Sequence, residues 1–293
     1  MIENKNNLFN FNFINLDKDR KLVKNTDKIS VNQLKQTDYF LNSAISNQKF
    51  HKYSFVEDNK NSVKKEINFK IDDQGNTNSC GTTSLASVLK YHGVNVKDHW
   101  EIDKSIRSTK FDFFTTPGDI VSYAKSKGMK AGMKNNSSIE DITNYIDKGL
   151  PVMALIDPGS NKYDTGLHWI VINGYERDEK GNVNKLKISD PSGGYSYNQD
   201  IDYFKKEWEQ INVGTDSLPL INKPMTISSG YKNLIVVISP KSGTVKTPDG
   251  NILPASSIKV PNDSDTFGGT SARVLAKGAL ILDKLINLKN KYF

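Results

Sequence analysis

The chain has 293 residues, of which 36% are hydrophobic and 25% are charged. This composition supports one large or two modest folded domains, and it excludes collagen, a coiled coil and a wholly disordered chain. The net charge of +7 comes mostly from lysines spread along the sequence. We therefore interpret it as a compositional bias and expect no nucleic-acid partner.

A single cysteine, Cys80, is present. Internal disulfides, CxxC zinc sites and iron–sulfur clusters are therefore excluded, and we expect a fold held by burial and hydrogen bonds, with no cofactor. The amino terminus carries no apolar run typical of a signal peptide, and no stretch is long and apolar enough to span a bilayer. These features predict a soluble protein, either cytoplasmic or secreted by a route that needs no signal peptide.

The sequence divides into three regions of different composition. Residues 1–66 are rich in Asn and Lys, and three interpretations stay open: a partly ordered extension packed on the core, an inhibitory propeptide-like segment, or a delivery signal. Residues 67–240 carry clear helix and strand patterns. Residues 241–293 begin as a linker rich in Gly, Pro and Ser, in which Gly268-Gly269 is interpreted as a flexible hinge rather than as a site of self-cleavage. They end in an amphipathic helix that would dock on the protein or contact a membrane surface.

Helical patterns come first within the central region. Leu85, Val88 and Leu89 recur at spacings of three and four residues, which is typical of one buried helix face. Glycines supply the left-handed residue at which helices commonly stop, and proline is favoured at the first helical position. The predicted helices run from Cys80 to Gly93, from Pro117 after Thr116 to Gly128, and from Ser137, in a capping box with Glu140, to Gly149.

Strand patterns follow these helices. Apolar, β-branched runs predict strands over 151–157, 168–175, 185–190 and 234–238. The polar turn at 178–182 joins the second and third of them as an antiparallel hairpin. Helices followed by strands indicate an α+β fold, with a helical half packed on a mostly antiparallel sheet.

Cys80 lies where the first predicted helix begins, after a run of polar loop residues. The free N–H groups and positive dipole of a helix N-terminus favour a thiolate over a thiol. Gly81 would let a substrate backbone approach the sulfur without a side chain between them. On these residues alone, a nucleophile and an inert thiol are equally good interpretations.

A nucleophilic thiol needs a proton acceptor, and His168 is the best candidate among four histidines. It opens an apolar strand, where an ionisable group needs a functional reason. His92 lies twelve residues along the same predicted helix as Cys80, roughly 18 Å away, which is too far for proton transfer. His51, His92 and His99 are interpreted as surface or capping residues.

Two further residues complete a candidate site. Asp190 ends the strand after that of His168, so antiparallel pairing would bring both to one end of the sheet, where a carboxylate can orient the imidazole. Asp190 could otherwise be a simple turn residue before proline. Gln74 lies six residues before Cys80, and its amide could join the Cys80 N–H in binding an oxyanion. It could otherwise be an ordinary loop glutamine.

The order of these motifs resembles the C39-like branch of the papain-fold cysteine peptidases. The resemblance covers about residues 69–240. It is carried by Gln74…Cys80-Gly81, by Gly166-Leu167-His168-Trp169-Ile170-Val171, by Asp190-Pro191, by Phe204-x-x-x-Trp208 and by the closing strand 234–238.

This resemblance implies a helical lobe carrying the cysteine, packed on an antiparallel sheet carrying the histidine and the aspartate. It implies that Cys80 is the nucleophile, His168 the general base and then acid, Asp190 the residue that orients it, and Gln74 the oxyanion donor. The membrane-spanning and ATP-binding segments of exporters that process leader peptides are not seen here. Their double-glycine specificity is therefore not expected of this chain.

The leading hypothesis is a cysteine peptidase that hydrolyses a peptide or isopeptide bond of a peptide or protein substrate through a thioester, and that acts as a delivered bacterial toxin or effector. Alternatives are a papain-fold acyltransferase or deamidase, a cell-wall amidase, or a non-catalytic binding domain on the same scaffold. The sequence leaves the oligomeric state undetermined.

Overall fold

The structure is a computed structural model, and two compact units divide the chain between residues 56 and 57. The predicted helix at 271–293, the Gly268-Gly269 hinge and most of the extension lie outside the residues that it describes. Those residues are 13–16, 22–25, 63–107, 115–159, 166–209, 211–214, 226–228 and 230–264. In the first unit, strands β1 (Phe13–Leu16) and β2 (Leu22–Asn25) pair antiparallel.

The second unit is built on a seven-stranded sheet whose described pairings are all antiparallel. The strands of the unit are β3 Val63–Glu66, β4 Lys130–Lys134, β5 Val152–Ile156, β6 His168–Arg177, β7 Val183–Asp190, β8 Tyr195–Asp200, β9 Asn212–Gly214, β10 Thr226–Ser228, β11 Ile235–Ser239, β12 Thr244–Lys246 and β13 Ile252–Pro254. Along the sheet the strand order is β4-β11-β5-β6-β7-β8, and β3 also pairs with β6. Two shorter pairs, β9 with β10 and β12 with β13, lie outside the sheet.

Five α-helices lie in the described part of this unit: α1 Cys80–Tyr91, α2 His99–Ile106, α3 Pro117–Ser126, α4 Ile139–Ile146 and α5 Ile201–Trp208. The predicted starts of α1 and α3 are confirmed, with Thr116 capping α3. The predicted capping box of α4 was wrong by one residue. Ser138 has the extended backbone of a cap and pairs with Asp141, whereas the Ser137 hydroxyl is buried and donates to the Lys134 carbonyl.

The core lies on both faces of the sheet. All five residues of β5 and of β11 are buried, as expected for strands covered on both sides. On α1, Leu85 and Leu89 are fully buried, while α5 contributes Phe204 and Trp208, whose indole N–H donates to the Leu234 carbonyl at 2.9 Å. The predicted α+β class is confirmed, because helices cover an antiparallel sheet.

The described part of the segment predicted as a linker, residues 241–264, packs on the sheet. The Lys130 ammonium donates to the carbonyls of Ala255 and Ile258. A side chain at Gly132 would collide with the Pro261 carbonyl, so only glycine lets this segment cross strand β4 so closely. Residues 241–264 are therefore part of the packed unit.

Candidate active site

Three of the predicted site residues meet at one end of the sheet. Cys80 is the first residue of α1, His168 the first of β6 and Asp190 the last of β7. His168 Nε2 lies 2.7 Å from Asp190 Oδ1, and the imidazole also interacts with the Cys80 thiol. The hairpin of β6 and β7, which was predicted from the turn, brings His168 and Asp190 together, and Ile172 lies opposite Ile188 in it.

The two ring nitrogens of His168 have separate partners. Nε2 is engaged by the Asp190 carboxylate, so Nδ1 is the nitrogen available to the thiol. The same carboxylate oxygen accepts the backbone N–H of Ser192 at 2.8 Å, and Asp190 is only 8% exposed. A buried carboxylate fixed in this way holds the imidazole in one orientation.

The electrostatics of the thiol and the imidazole are complementary. Burial acts to raise the pKa of the Cys80 thiol, but the hydrogen bond and charge of His168, with the backbone N–H groups of Trp169 and Gly81, lower it below its usual range. Burial acts to lower the pKa of His168, but the charge and hydrogen bond of Asp190, together with Cys80, raise it well above its usual range. These opposite shifts favour a thiolate beside an imidazolium.

The first turn of α1 keeps its N–H groups available at the sulfur. Ser79, the N-cap residue, forms no side-chain cap, and no acidic residue lies in the first turn. Its hydroxyl instead donates to Asp103 at 2.8 Å. The positive end of the helix dipole is thus left uncompensated next to the Cys80 sulfur.

Helix α2 anchors the loop that precedes the cysteine. The buried Asp103 carboxylate accepts the Ser79 hydroxyl and pairs with Arg107, 2.9 Å away. Arg107 in turn donates to the carbonyl of Asn78 at 2.7 Å. These contacts fix the two residues before Cys80.

The role predicted for Gly81 was wrong. An added Cβ there would lie 2.6 Å from the Thr115 Cβ and 2.9 Å from the Trp169 ring. The space that a side chain would take at this position is therefore occupied by the protein itself and is not open to a substrate. The Trp169 indole also donates to the Thr115 carbonyl at 2.9 Å. Gly81 therefore lets α1 pack closely on the strand of His168.

Gln74 lies beside the turn that follows Asp190. Its backbone N–H donates to the Pro191 carbonyl at 2.8 Å, and the Asp73 carboxylate ties the same two loops by accepting the N–H groups of Gly75 and Gly193. One side-chain N–H donates to the Thr77 carbonyl at 2.7 Å. The amide keeps a second N–H, and its buried oxygen has no hydrogen-bond partner among the described residues.

The other histidines have different surroundings. His92 caps the C-terminus of α1, as predicted, and its Nε2 lies 3.1 Å from the carbonyl of Ile238. Burial lowers the pKa of His92 to about 4. His99 begins α2, and His51 lies outside the described residues.

Comparison with known families decides the classification. The model of the Peptidase_C39 like family matches residues 66–215, about half of the chain. The chain belongs to this family. Membership makes it a C39-like cysteine peptidase with an α+β, papain-like fold, as the sequence predicted.

Solved structures of related proteins are distant in sequence. A double-glycine-motif protease from an AMS/PCAT transporter, in complex with the leader peptide, is 14% identical; the match covers 60% of this chain and 94% of that one, with a TM-score of 0.39. A C39-like peptidase described as putative, from Bacillus anthracis, is 19% identical over 49% of this chain and 92% of its own, with a TM-score of 0.40. Comparison with curated proteins finds no significant match.

The C39-like peptidase carries near its site one titratable side chain that the sequence did not reveal. Glu207 of α5 interacts electrostatically with both His168 and Asp190. It lies seventeen residues beyond Asp190 in sequence, in a helix of mixed composition. Only the packing of that helix on the sheet brings it there.

In the described part of the chain, no helix is long and apolar enough to cross a membrane. Nor do those residues contain a group of three or more His, Cys, Asp or Glu side chains that could hold a metal ion.

Proposed function

We propose that this C39-like peptidase hydrolyses a peptide or isopeptide bond through a Cys80–His168–Asp190 mechanism with a thioester intermediate. The observation that carries the proposal is the position of His168, whose Nε2 lies 2.7 Å from the Asp190 carboxylate and whose imidazole interacts with the Cys80 thiol. A nucleophile, a base and a group that orients the base are the parts that acyl transfer requires.

In the first step the Cys80 thiolate attacks the carbonyl carbon of the scissile amide. A carbon–sulfur bond forms, and the carbonyl oxygen becomes an oxyanion. The backbone N–H of Cys80 and the second side-chain N–H of Gln74 are the proposed donors to it. As the intermediate collapses, the carbon–nitrogen bond breaks and the His168 imidazolium gives its proton to the departing amine.

In the second step water attacks the thioester. His168, now neutral, accepts a proton from the water, and the thiolate departs as the carbon–sulfur bond breaks. The products are a carboxylic acid and the starting thiolate–imidazolium pair. Asp190 stays ionised throughout and stabilises the imidazolium formed in each cycle.

Labelling with iodoacetamide at pH 6 tests the ion pair. Cys80 is the only thiol in the chain, and an ordinary thiol is scarcely ionised at this pH because its pKa is about 8.5. We expect rapid labelling of the wild type, none of Cys80→Ala, and slow labelling of His168→Ala. His99→Ala, which removes an imidazole from α2, should label like the wild type. Undiminished labelling of His168→Ala would contradict the mechanism.

Hydrolysis must be separated from the other acyl transfers that the same residues could perform. Incubation with a mixture of peptides, some bearing glutamine, would be followed by mass spectrometry and by ammonia release. New termini that require Cys80 would support a peptidase. Ammonia release or a peptide conjugate without new termini would instead assign deamidation or acyl transfer.

We further propose that the enzyme acts as a toxin or effector delivered to another cell. The proposal is motivated by a hydrolase flanked by an additional unit, residues 1–56, whose composition differs from that of the catalytic region. Expression of the wild type inside recipient cells should impair them, while Cys80→Ala should not. Equal growth with both proteins would refute this role.

A further inference from the structure

Helix α5 carries Glu207 to the strand next to His168. The backbone carbonyl of Glu207 accepts the N–H of Asp157 at 2.8 Å. Asp157 directly follows β5, whose last residue, Ile156, pairs with His168. The main chain of Glu207 is therefore held beside the end of the strand that pairs with the strand of His168.

The carboxyl group of Glu207 lies in a polar cluster between α5 and the sheet. Its Oε2 accepts the side-chain N–H of Gln199 at 3.1 Å, and the Tyr203 hydroxyl also interacts with it. Gln199 is only 8% exposed. The titratable groups around the carboxyl group are Tyr203 of α5, Tyr197 of β8, Asp190 of β7 and His168 of β6, while the nearby Asp157 carboxylate accepts the Gly159 N–H.

This carboxyl group changes its charge near neutral pH. Burial raises the pKa of Glu207 to about 7, against the hydrogen bonds of Gln199 and Tyr203 and the charge of His168, which lower it; the charge of Asp190 raises it. An interaction between two titrating groups is reciprocal. If protonated His168 favours ionised Glu207, then ionised Glu207 favours protonated His168.

We propose that Glu207 is a positioning residue of the peptidase, a second carboxylate that helps His168 to keep its proton at neutral and alkaline pH. The proposal rests on the mechanism proposed above. Asp190 contacts the imidazole directly, at 2.7 Å, whereas Glu207 acts on it through its charge. Its protonation in mild acid removes this support, so Glu207 affects only the alkaline half of the pH range.

The pH profile of Cys80 alkylation by iodoacetamide tests the proposal without a known substrate. In the wild type we expect the alkylation rate to change at two pH values. The first change, the acid step, marks the formation of the thiolate–imidazolium pair, and the second, the alkaline step, marks the loss of the imidazolium proton. Glu207→Gln keeps the shape of the side chain and removes its charge. We expect its alkaline step to move to lower pH by about half a unit, with the acid step unchanged.

Three further variants complete this experiment. Glu207→Asp retains a charge and should restore much of the wild-type alkaline step. Tyr203→Phe removes a hydrogen bond that favours the ionised carboxyl group, and should shift the step in the same direction as Glu207→Gln but less. Glu209→Gln, at an exposed position two residues along the chain, is the matched control and should leave the profile unchanged.

The outcomes separate this inference from the mechanism on which it rests. If His168→Ala removes the acid step while Glu207→Gln and Tyr203→Phe leave the alkaline step in place, Glu207 has no such role and the mechanism stands. If His168→Ala keeps the wild-type profile, the mechanism itself is wrong. Should Glu207→Gln fail to fold by circular dichroism, Tyr203→Phe decides: an unmoved alkaline step overturns the proposal.

Discussion

Substitution of Gly81 by alanine tests the packing that joins the cysteine helix to the histidine strand. Alanine normally stabilises a helix by up to about 1 kcal/mol relative to glycine. Here the new Cβ would lie 2.6 Å from the Thr115 Cβ and 2.9 Å from Trp169 Cδ1, whereas carbon atoms normally pack at about 3.5–4.0 Å. The helix and the strand would have to separate by about 1 Å.

The magnitude follows from that displacement. Overpacking of this kind costs about 1–3 kcal/mol, and the gain in helix propensity offsets at most about 1 kcal/mol of that cost. The net loss of up to about 2 kcal/mol should lower the melting temperature by up to about 8 °C for a unit of this size. Because Gly81 adjoins Cys80 and Trp169 adjoins His168, the same 1 Å shift should slow Cys80 alkylation at pH 6 by about 10- to 100-fold.

Thermal unfolding and alkylation rates measure the two effects. A double-mutant cycle with Thr115→Gly, which removes the nearest Cβ, should show that Gly81→Ala costs less when the threonine is absent. A melting temperature equal to or above that of the wild type, with unchanged alkylation, would show that this contact does not constrain the site.

Three other substitutions have distinct expected results. His92 is neutral in the folded chain down to about pH 4, whereas in the unfolded chain it binds a proton near pH 6.5. The free energy of unfolding should therefore fall by up to about 3 kcal/mol as the pH drops from 6.5 to 4. Urea unfolding of His92→Gln should show a weaker dependence of this free energy on pH. Asp190→Asn, which cannot stabilise the imidazolium, should lower kcat/KM about a thousandfold on any peptide that the wild type cleaves. Gln74→Ala should lower kcat about a hundredfold yet leave Cys80 alkylation unchanged, because alkylation forms no oxyanion; equal losses in both assays would contradict that role.

Local sequence was sufficient to predict the arrangement of the candidate site wherever its residues lie at the ends of helices and strands. A helix starting at Cys80 and a hairpin joining 168–175 to 185–190 follow from periodicity and one turn. Those two elements already bring His168 beside Asp190, since antiparallel neighbours share an end. The contact of both with α1 is tertiary and needed the family resemblance.

Helix α2 escaped prediction because its sequence has little apolar periodicity. Only Ile102 and Asp103 of this helix are buried. A signal was present: Asp98 caps the helix by accepting the N–H of Glu101, and the Glu101 carboxylate accepts the N–H of Lys97. An acidic cap followed three residues later by glutamate is typical of a helix start.

The error at Gly81 has a different origin. A glycine after a candidate nucleophile can be read either as space for substrate or as space for protein. The choice depends on Thr115 and Trp169, which lie 34 and 88 residues away in sequence. Glu207 could not be predicted for the same reason, because its neighbours come from three different strands as well as from its own helix.

The Asp73 carboxylate connects the loop of Gln74, the proposed oxyanion donor, to the turn after Asp190, the proposed orienting residue. It accepts the N–H of Gly75 within its own loop and the N–H of Gly193 in that turn. The positions of Gln74 and Asp190 are therefore coupled. Together with the bond from the Gln74 N–H to the Pro191 carbonyl, this contact links the proposed oxyanion donor to the residue that orients the base, so a change in either loop would affect both.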